Sequence, residues 1–153
     1  MSEEKPIIQF ALRNISTLQF AIIENSFSQN EPIKLDYQLN YSSIDEQMIL
    51  VTHFKILFKV DDNPPFIILE MSMSFQVKKE TWSLLYDVNS NEVKLEYGFA
   101  LHLAVLTIST ARGILHSNTN GSPFNHFIIP LIDAKKVLKN DEGFYIVKNK
   151  IEI

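Results

Sequence analysis

The residues able to do chemistry are few and build no familiar constellation. Four histidines, His53, His102, His116 and His126, contain no His-Glu-x-x-His pair. None has an acidic neighbour three or four positions along a shared helix face, as a metal or general-base site needs. Serines are plentiful, yet no Gly-x-Ser-x-Gly elbow occurs, and Asn120-Gly121-Ser122 reads as a turn. Four glycines in the whole chain leave none of the loops that cradle phosphate. Asp61-Asp62 and Asp141-Glu142 are adjacent acids in turn-forming surroundings, solvated rather than poised as an acid/base dyad. With no cysteine there is neither a thiol nucleophile nor a disulfide framework, which fits a reducing compartment. The expectation is a protein that is no enzyme and uses no metal or cofactor. Trp82 reads as a core or edge anchor. Met71 and Met73 are flexible apolar side chains that suit either a core or an adaptable surface.

The elements carrying these residues fall into two grammars. Ile33 to Tyr41 alternates apolar and polar over nine residues, the period of a strand with one wet face. Ile67, Leu69, Met71, Met73, Phe75 and Val77 repeat the pattern, with Glu70, Ser72, Ser74 and Gln76 opposite. From Met48 to Val60, Leu50, Phe54, Ile56, Phe58 and Val60 share one face, and His53, Lys55 and Lys59 the other. A fourth strand, Ile7 to Ile23, is irregular because Asn14, Ser16 and Thr17 interrupt its apolar face. Turn chemistry at Ser42–Glu46 and Asp61–Pro65 separates neighbours, predicting a four-stranded antiparallel sheet.

Then the period changes. Asn89, with Glu92 three residues on, reads as an N-cap with its capping partner. From there to about His116, Tyr97, Leu101, Ala104, Ile108, Ala111 and Leu115 recur at helical spacing, and Asn118, Asn120 and Gly121 stop the helix. Between Phe99 and Ile108 only His102 and Thr107 are polar, so the helix is apolar nearly all round and needs cover on two sides. One sheet covers one face. The remaining cover is another copy of the chain or the C-terminal segment folded over it, with Phe99, Leu103, Val105 and Leu106 as candidate interface residues.

At 153 residues the chain is most simply a single domain, 1–153, with hydrophobic content of 46 %. A net charge of −4 with scattered lysines excludes a phosphate-binding patch, and so nucleic acid. No window holds the roughly 18 uninterrupted apolar residues of a membrane span, so no membrane insertion is expected. MSEEKPIIQF has the wrong charge order for a signal peptide, predicting a cytoplasmic protein.

Ala111-Arg112-Gly113 near the helix end, followed by Phe127-Ile128-Ile129-Pro130-Leu131, resembles the SecB family of protein-export chaperones. In that family a long helix ends in Ser/Ala-Arg-Gly, and a loop leads to a Pro-Val or Pro-Leu segment. The preceding order is similar too: PIKLDYQLNY resembles the family's second strand and IILEMSMSF its fourth, and the resemblance spans about 8–135. It implies an α+β homotetramer, a dimer of dimers with the helices packed between dimers. It also implies an ATP-independent holdase for unfolded or nascent polypeptides, serving export or one dedicated client such as an antitoxin. By position the groove falls on Ile33, Leu35, Tyr37, Ile67, Leu69, Met71 and Met73. Ile68 and Glu70 match positions of the surface that docks the SecA motor. Thr17 and Ala21 stand where the family has acids, and KNDEGFYIVKNKIEI replaces its C-terminal helix with a short, mixed segment, so SecA coupling is not expected. Arg112, Gly113 and Pro130 carry the structural motif: Arg112 is expected to meet the last helical carbonyls or a neighbouring subunit, and Gly113 to allow a left-handed turn or close packing. The alternative reading is a binding module for a small apolar ligand in the cavity between sheet and helix.

Overall fold

A computed structural model describes residues 7–138 and 143–151; Asp141-Glu142 lies outside them. Strands β1 (Phe10–Ile22), β2 (Ile33–Ile44), β3 (Ile49–Val60) and β4 (Ile67–Val77) come first. A short helix α1 (Lys79–Trp82), small strands β5 (Tyr86–Asp87) and β6 (Glu92–Glu96), and the long helix α2 (Tyr97–Asn118) follow. Helix α3 (Ala134–Leu138) and strands β7 (Phe144–Val147) and β8 (Asn149–Lys150) complete the order.

Period-two patterning builds the main sheet. Every second residue of β3 from Leu50 to Val60, and of β4 from Ile67 to Val77, is buried, while the residues between are half-buried. The strands β1, β4, β3 and β2 are neighbours in that order, all antiparallel. The β2–β3 link is a 3-10 turn, Asp45–Gln47, that exits through Met48 at φ 58°. The β3–β4 link turns at Asp61, φ 49°, with the Asn63 amide donating to the Val60 carbonyl at 3.0 Å. In β1 the register against β4 shifts between Leu12 and Asn14 and again between Thr17 and Gln19. These shifts flank the polar residues that interrupt its alternation, and such bulges keep the apolar side chains on the helix side.

The sheet has five strands rather than four: β8 adds in parallel to the outer edge of β2 through Ser42 and Ser43. A second, three-stranded sheet, ordered β5-β6-β7, was not foreseen. The helix also starts later than expected. Asn89 and Asn91 belong to the turn between β5 and β6, and Glu92 opens β6, where Val93 and Leu95 alternate inward and are fully buried. A period-two run outweighs an isolated capping pair here, and Glu96 precedes α2 without a side-chain cap.

Helix α2 lays Ala100, Leu103, Ala104, Thr107, Ile108, Ala111 and Leu115 onto the sheet. Two polar contacts fix its position. The Thr52 and Thr107 hydroxyls meet at 2.7 Å, both buried, and the Tyr41 hydroxyl donates to the Ala100 carbonyl at 2.6 Å. By length and mean hydropathy (1.4) α2 would suffice to cross a membrane, yet its inner stripe is used on the sheet. Its outer side is less apolar than the sequence suggests: Gly98, His102, Val105, Ser109, Gly113 and His116 are exposed, and Phe99, Leu101, Leu106 and Ile114 are half-buried flanks. Helix α3, β6 and β7 also touch α2, so the C-terminal part supplies some of the second cover. Trp82 is buried and stacks on Tyr86 at 6.4 Å.

Candidate functional site

The aromatic side chains converge at one end of the main sheet. After β1 the chain passes through a 3-10 turn (Glu24–Ser26) to Phe27, and after α2 it returns through a turn at Gly121, φ 77°, to Phe124 and Phe127. Phe27 lies 4.9 Å from Phe66, 5.3 Å from Phe124 and 5.6 Å from Phe127 between ring centroids, and Phe66 lies 5.1 Å from Phe127. Tilted and edge-on contacts of this kind favour a fixed cluster over a fluid one. The return turn is held by polar bonds. Asn125 Nδ2 donates to the His116 carbonyl at 3.0 Å and to Thr119 Oγ1 at 3.1 Å, while Ser122 Oγ accepts the Phe124 amide at 3.0 Å. Phe27, Ile33, Phe124 and Phe127 wall a recess of about 350 Å³, with His126 and Glu31 at its rim. Its apolar wall of Phe27, Ile33, Phe124 and Phe127 suits an aromatic or branched side chain, and Ser28, Gln29 and Asn30 add polar groups beside it.

Arg112 braces the wall. Its Nε donates to the Ile129 carbonyl at 2.7 Å and its Nη2 to the Pro130 carbonyl at 2.9 Å. This planar fork fixes the extended segment just after Phe127. The expectation for Arg112 is thereby corrected. Because α2 runs on to Asn118, Arg112 sits a turn and a half inside the helix and grips the returning chain rather than the last helical carbonyls. Gly113 is likewise helical, without a left-handed turn, and a Cβ there would meet nothing within 4 Å. Beyond the clamp, Pro130 is exposed and Leu131 is 92 % exposed.

The recess opens onto strand β2. Ile33 is part of its wall, Leu35 is half-buried, and Tyr37 stands 40 % exposed; a second, shallower recess of about 210 Å³ at the same stretch is lined by Asp36, Gln38, Lys55 and Leu57 of the sheet's other face. Along its outer edge β2 pairs with β8 only at Ser42 and Ser43, so the stretch from Ile33 to Tyr41 is unpaired on that edge among the described residues, although Tyr145 of β7 packs on Tyr41 at 4.7 Å. The structure separates these residues from the other expected groove positions. Ile67, Leu69, Met71 and Met73 share the helix-side face but are buried by α2, at most 3 % exposed. They are core, not groove. Alternation tells which face a side chain joins; it does not tell how far the covering helix reaches. Phe27, Phe124 and Phe127 went unnoticed because they belong to no periodic element; the Phe-x-x-Phe spacing after a turn cluster was the available signal.

The remaining positions spread over the molecule. Leu103 faces the sheet, Phe99 and Leu106 are half-buried, and Val105 is exposed on the outer side of α2. Ile68 and Glu70 lie on the sheet's far face, where Glu70 Oε1 is 2.7 Å from His53 Nε2 and Oε2 is 3.8 Å from Lys55 Nζ. Ala21 pairs with Ile68 on that face, whereas Thr17 pairs with Met71 on the opposite one. Lys34, Lys55 and Lys59 outnumber Asp36 and Glu70 there, giving a face that is not acidic. The four histidines are not brought together, and no group of three metal-binding side chains forms among the described residues.

No protein-family model matches the chain, and no curated protein matches it by sequence. Among solved structures it is similar to a SecB-like chaperone of Mycobacterium tuberculosis in complex with a ChAD peptide from the HigA1 antitoxin. That likeness has 9 % identity and a TM-score of 0.49, covering 80 % of this chain and 90 % of that one. It is also similar to a protein of unknown function from Streptococcus agalactiae, at 12 % identity and a TM-score of 0.41, covering 84 % of this chain and 100 % of that one.

Proposed function

We propose that the chain is a SecB-like, ATP-independent holdase that keeps unfolded or nascent polypeptides from aggregating. The observation that carries this reading is the braced aromatic recess opening directly onto an unpaired strand edge. An extended client inserts an apolar side chain among Phe27, Phe124 and Phe127. It continues beside β2, where main-chain pairing is independent of sequence and Ile33 and Tyr37 offer further apolar contact. The small-ligand reading finds less support, because Phe54, Ile56, Leu69 and Met71 fill the space between sheet and helix. The sequence resemblance adds the setting: a cytoplasmic chaperone of protein export or of a dedicated client such as an antitoxin, without SecA docking, since the far face of the sheet is not acidic.

Assembly belongs to the same proposal. The outer side of α2 presents Gly98, Val105, Ser109 and Gly113, with open space over both glycines, which suits close approach of a second helix. Leu12, Ile15 and Leu18 are exposed along edge strand β1. Both surfaces support a homotetramer built as a dimer of dimers. The test of function is light scattering of a chemically denatured client diluted into buffer without nucleotide. Near-stoichiometric chain suppresses the aggregation of several unrelated clients, and Tyr37→Ser weakens the effect with the fold retained. A chain that leaves all of them to aggregate is not a general holdase.

A further inference from the structure

At the other end of β2 lies a recess of different chemistry, about 410 Å³, lined by Asp45, Glu46, Trp82, Tyr86, Asn91 and Lys150. The C-terminal tail forms part of its wall, since Ile151 lines it together with Lys150. Lys150 Nζ is 2.8 Å from Asp45 Oδ2, donates to the Asn91 carbonyl at 2.6 Å, and sits 5.9 Å from the centre of the Tyr86 ring. Tyr86 is backed by Trp82, the ring planes nearly parallel at 12°. The Asp45 carboxylate is largely buried, its side chain 19 % exposed, and is oriented by the Ser43 hydroxyl at 2.6 Å. A carboxylate, a carbonyl and an aromatic face around one site form a receptor for an ammonium or guanidinium group. The hydrogen bond that Lys150 donates to Asp45 holds the lysine pKa above its ordinary value.

The rest of the tail uses the strand edge. Asn149 and Lys150 pair in parallel with Ser42 and Ser43, and the Ile151 amide donates to the Ser43 carbonyl at 2.8 Å. This hold is slight, because the strand has two residues and its ion pair is partly wetted. The stretch from Ile33 to Ser43 spans about 33 Å at strand rise. An extended client that starts in the aromatic recess therefore meets β8 within about ten residues.

We propose that this recess is a second docking point, for the Lys or Arg side chain of an extended polypeptide lying on the β2 edge, and that Asn149–Ile151 is its resident competitor, a displaceable latch. The proposal rests on reading the chain as a polypeptide-binding protein. It adds a charge preference and a gate that the aromatic recess alone does not provide. The ligand is identified by the residues that already make these contacts: a lysine on a parallel strand, followed by an isoleucine.

The test uses the full chain, its Lys150→Glu variant, and a fluorescent heptapeptide copying Tyr145 to Ile151 (YIVKNKI). In Lys150→Glu, repulsion from Asp45 frees the tail, so the Ile151 amide exchanges faster. If the latch is seated about nine-tenths of the time, the peptide then binds about tenfold tighter than to the unmodified chain. The peptide YIVKNEI loses that gain, and the swap Asp45→Lys with Lys150→Glu restores protection of Ile151. Unchanged Ile151 exchange in Lys150→Glu, or equal binding of the two peptides, overturns the proposal. Neither readout depends on suppressing aggregation, so failure here is distinct from failure of the holdase reading.

Discussion

Replacing Arg112 by methionine keeps the aliphatic stem and removes the fork that grips the Ile129 and Pro130 carbonyls. Hydrogen bonds from a charged donor contribute about 1.5–3 kcal/mol each when shielded and less when water can replace them. The bond to Ile129, whose residue is fully buried, is the shielded one; the bond to Pro130 is exposed. Counting about 1.5 kcal/mol for the first and about 0.5 kcal/mol for the second, Arg112→Met should cost about 2 kcal/mol. That corresponds to a Tm lower by about 4–8 °C for a domain of this size. Arg112→Lys reaches one carbonyl at a time and should recover about half. Urea unfolding of the three proteins measures the difference, with hydrogen exchange at Phe127 and Ile129 reporting local loosening. The clamp reasoning is refuted if Arg112→Met unfolds within about 0.5 kcal/mol of the parent, or if lysine serves as well as arginine.

Other outcomes follow from the same contacts. Burial raises the Tyr41 hydroxyl pKa well above its usual value, so the folded chain keeps a proton that the unfolded chain loses above pH ~10. Stability should fall there by up to about 1.4 kcal/mol per pH unit; Tyr41→Phe should cost about 1 kcal/mol at pH 7 and flatten that fall, as urea titrations at both pH values would show. Gly113→Val has open space in the subunit and should change its stability by less than about 0.5 kcal/mol. If α2 packs against a second copy, the same variant should yield smaller particles in light scattering, and an unchanged particle would remove α2 from the interface. Calorimetric titration with SecA should show no binding that Glu70→Ala abolishes, because Glu70 is already paired with His53 and Lys55.

The long strands and the helix were legible from their periods, and Ile33–Tyr41 of β2 alternates without a fault. Legibility ended where cover, rather than period, decides. Met71 and Tyr37 lie on the same face of the sheet, yet one is fully buried and the other open, because α2 lies over β3 and β4 and reaches β2 near Tyr41 but not at Tyr37. The Asn89–Glu92 pair looked like a helix start because capping residues are also turn residues; the turn at Asn91, φ 54°, used them instead. Strands as short as β5 and β8 hold too few residues to show a period. The aromatic recess was hidden for a further reason: Phe27, Phe66 and Phe127 meet across about a hundred residues of sequence and only through tertiary folding.

The central claim is that a client lies in the aromatic recess and along β2, and hydrogen exchange of the chain with and without a permanently unfolded polypeptide tests it most directly. The account predicts added protection at Phe27, at Phe124–Phe127 and along Ile33–Tyr41, with the far face of β3 and β4 unchanged. Protection confined to the far face around His53 and Glu70, or protection nowhere, would contradict it.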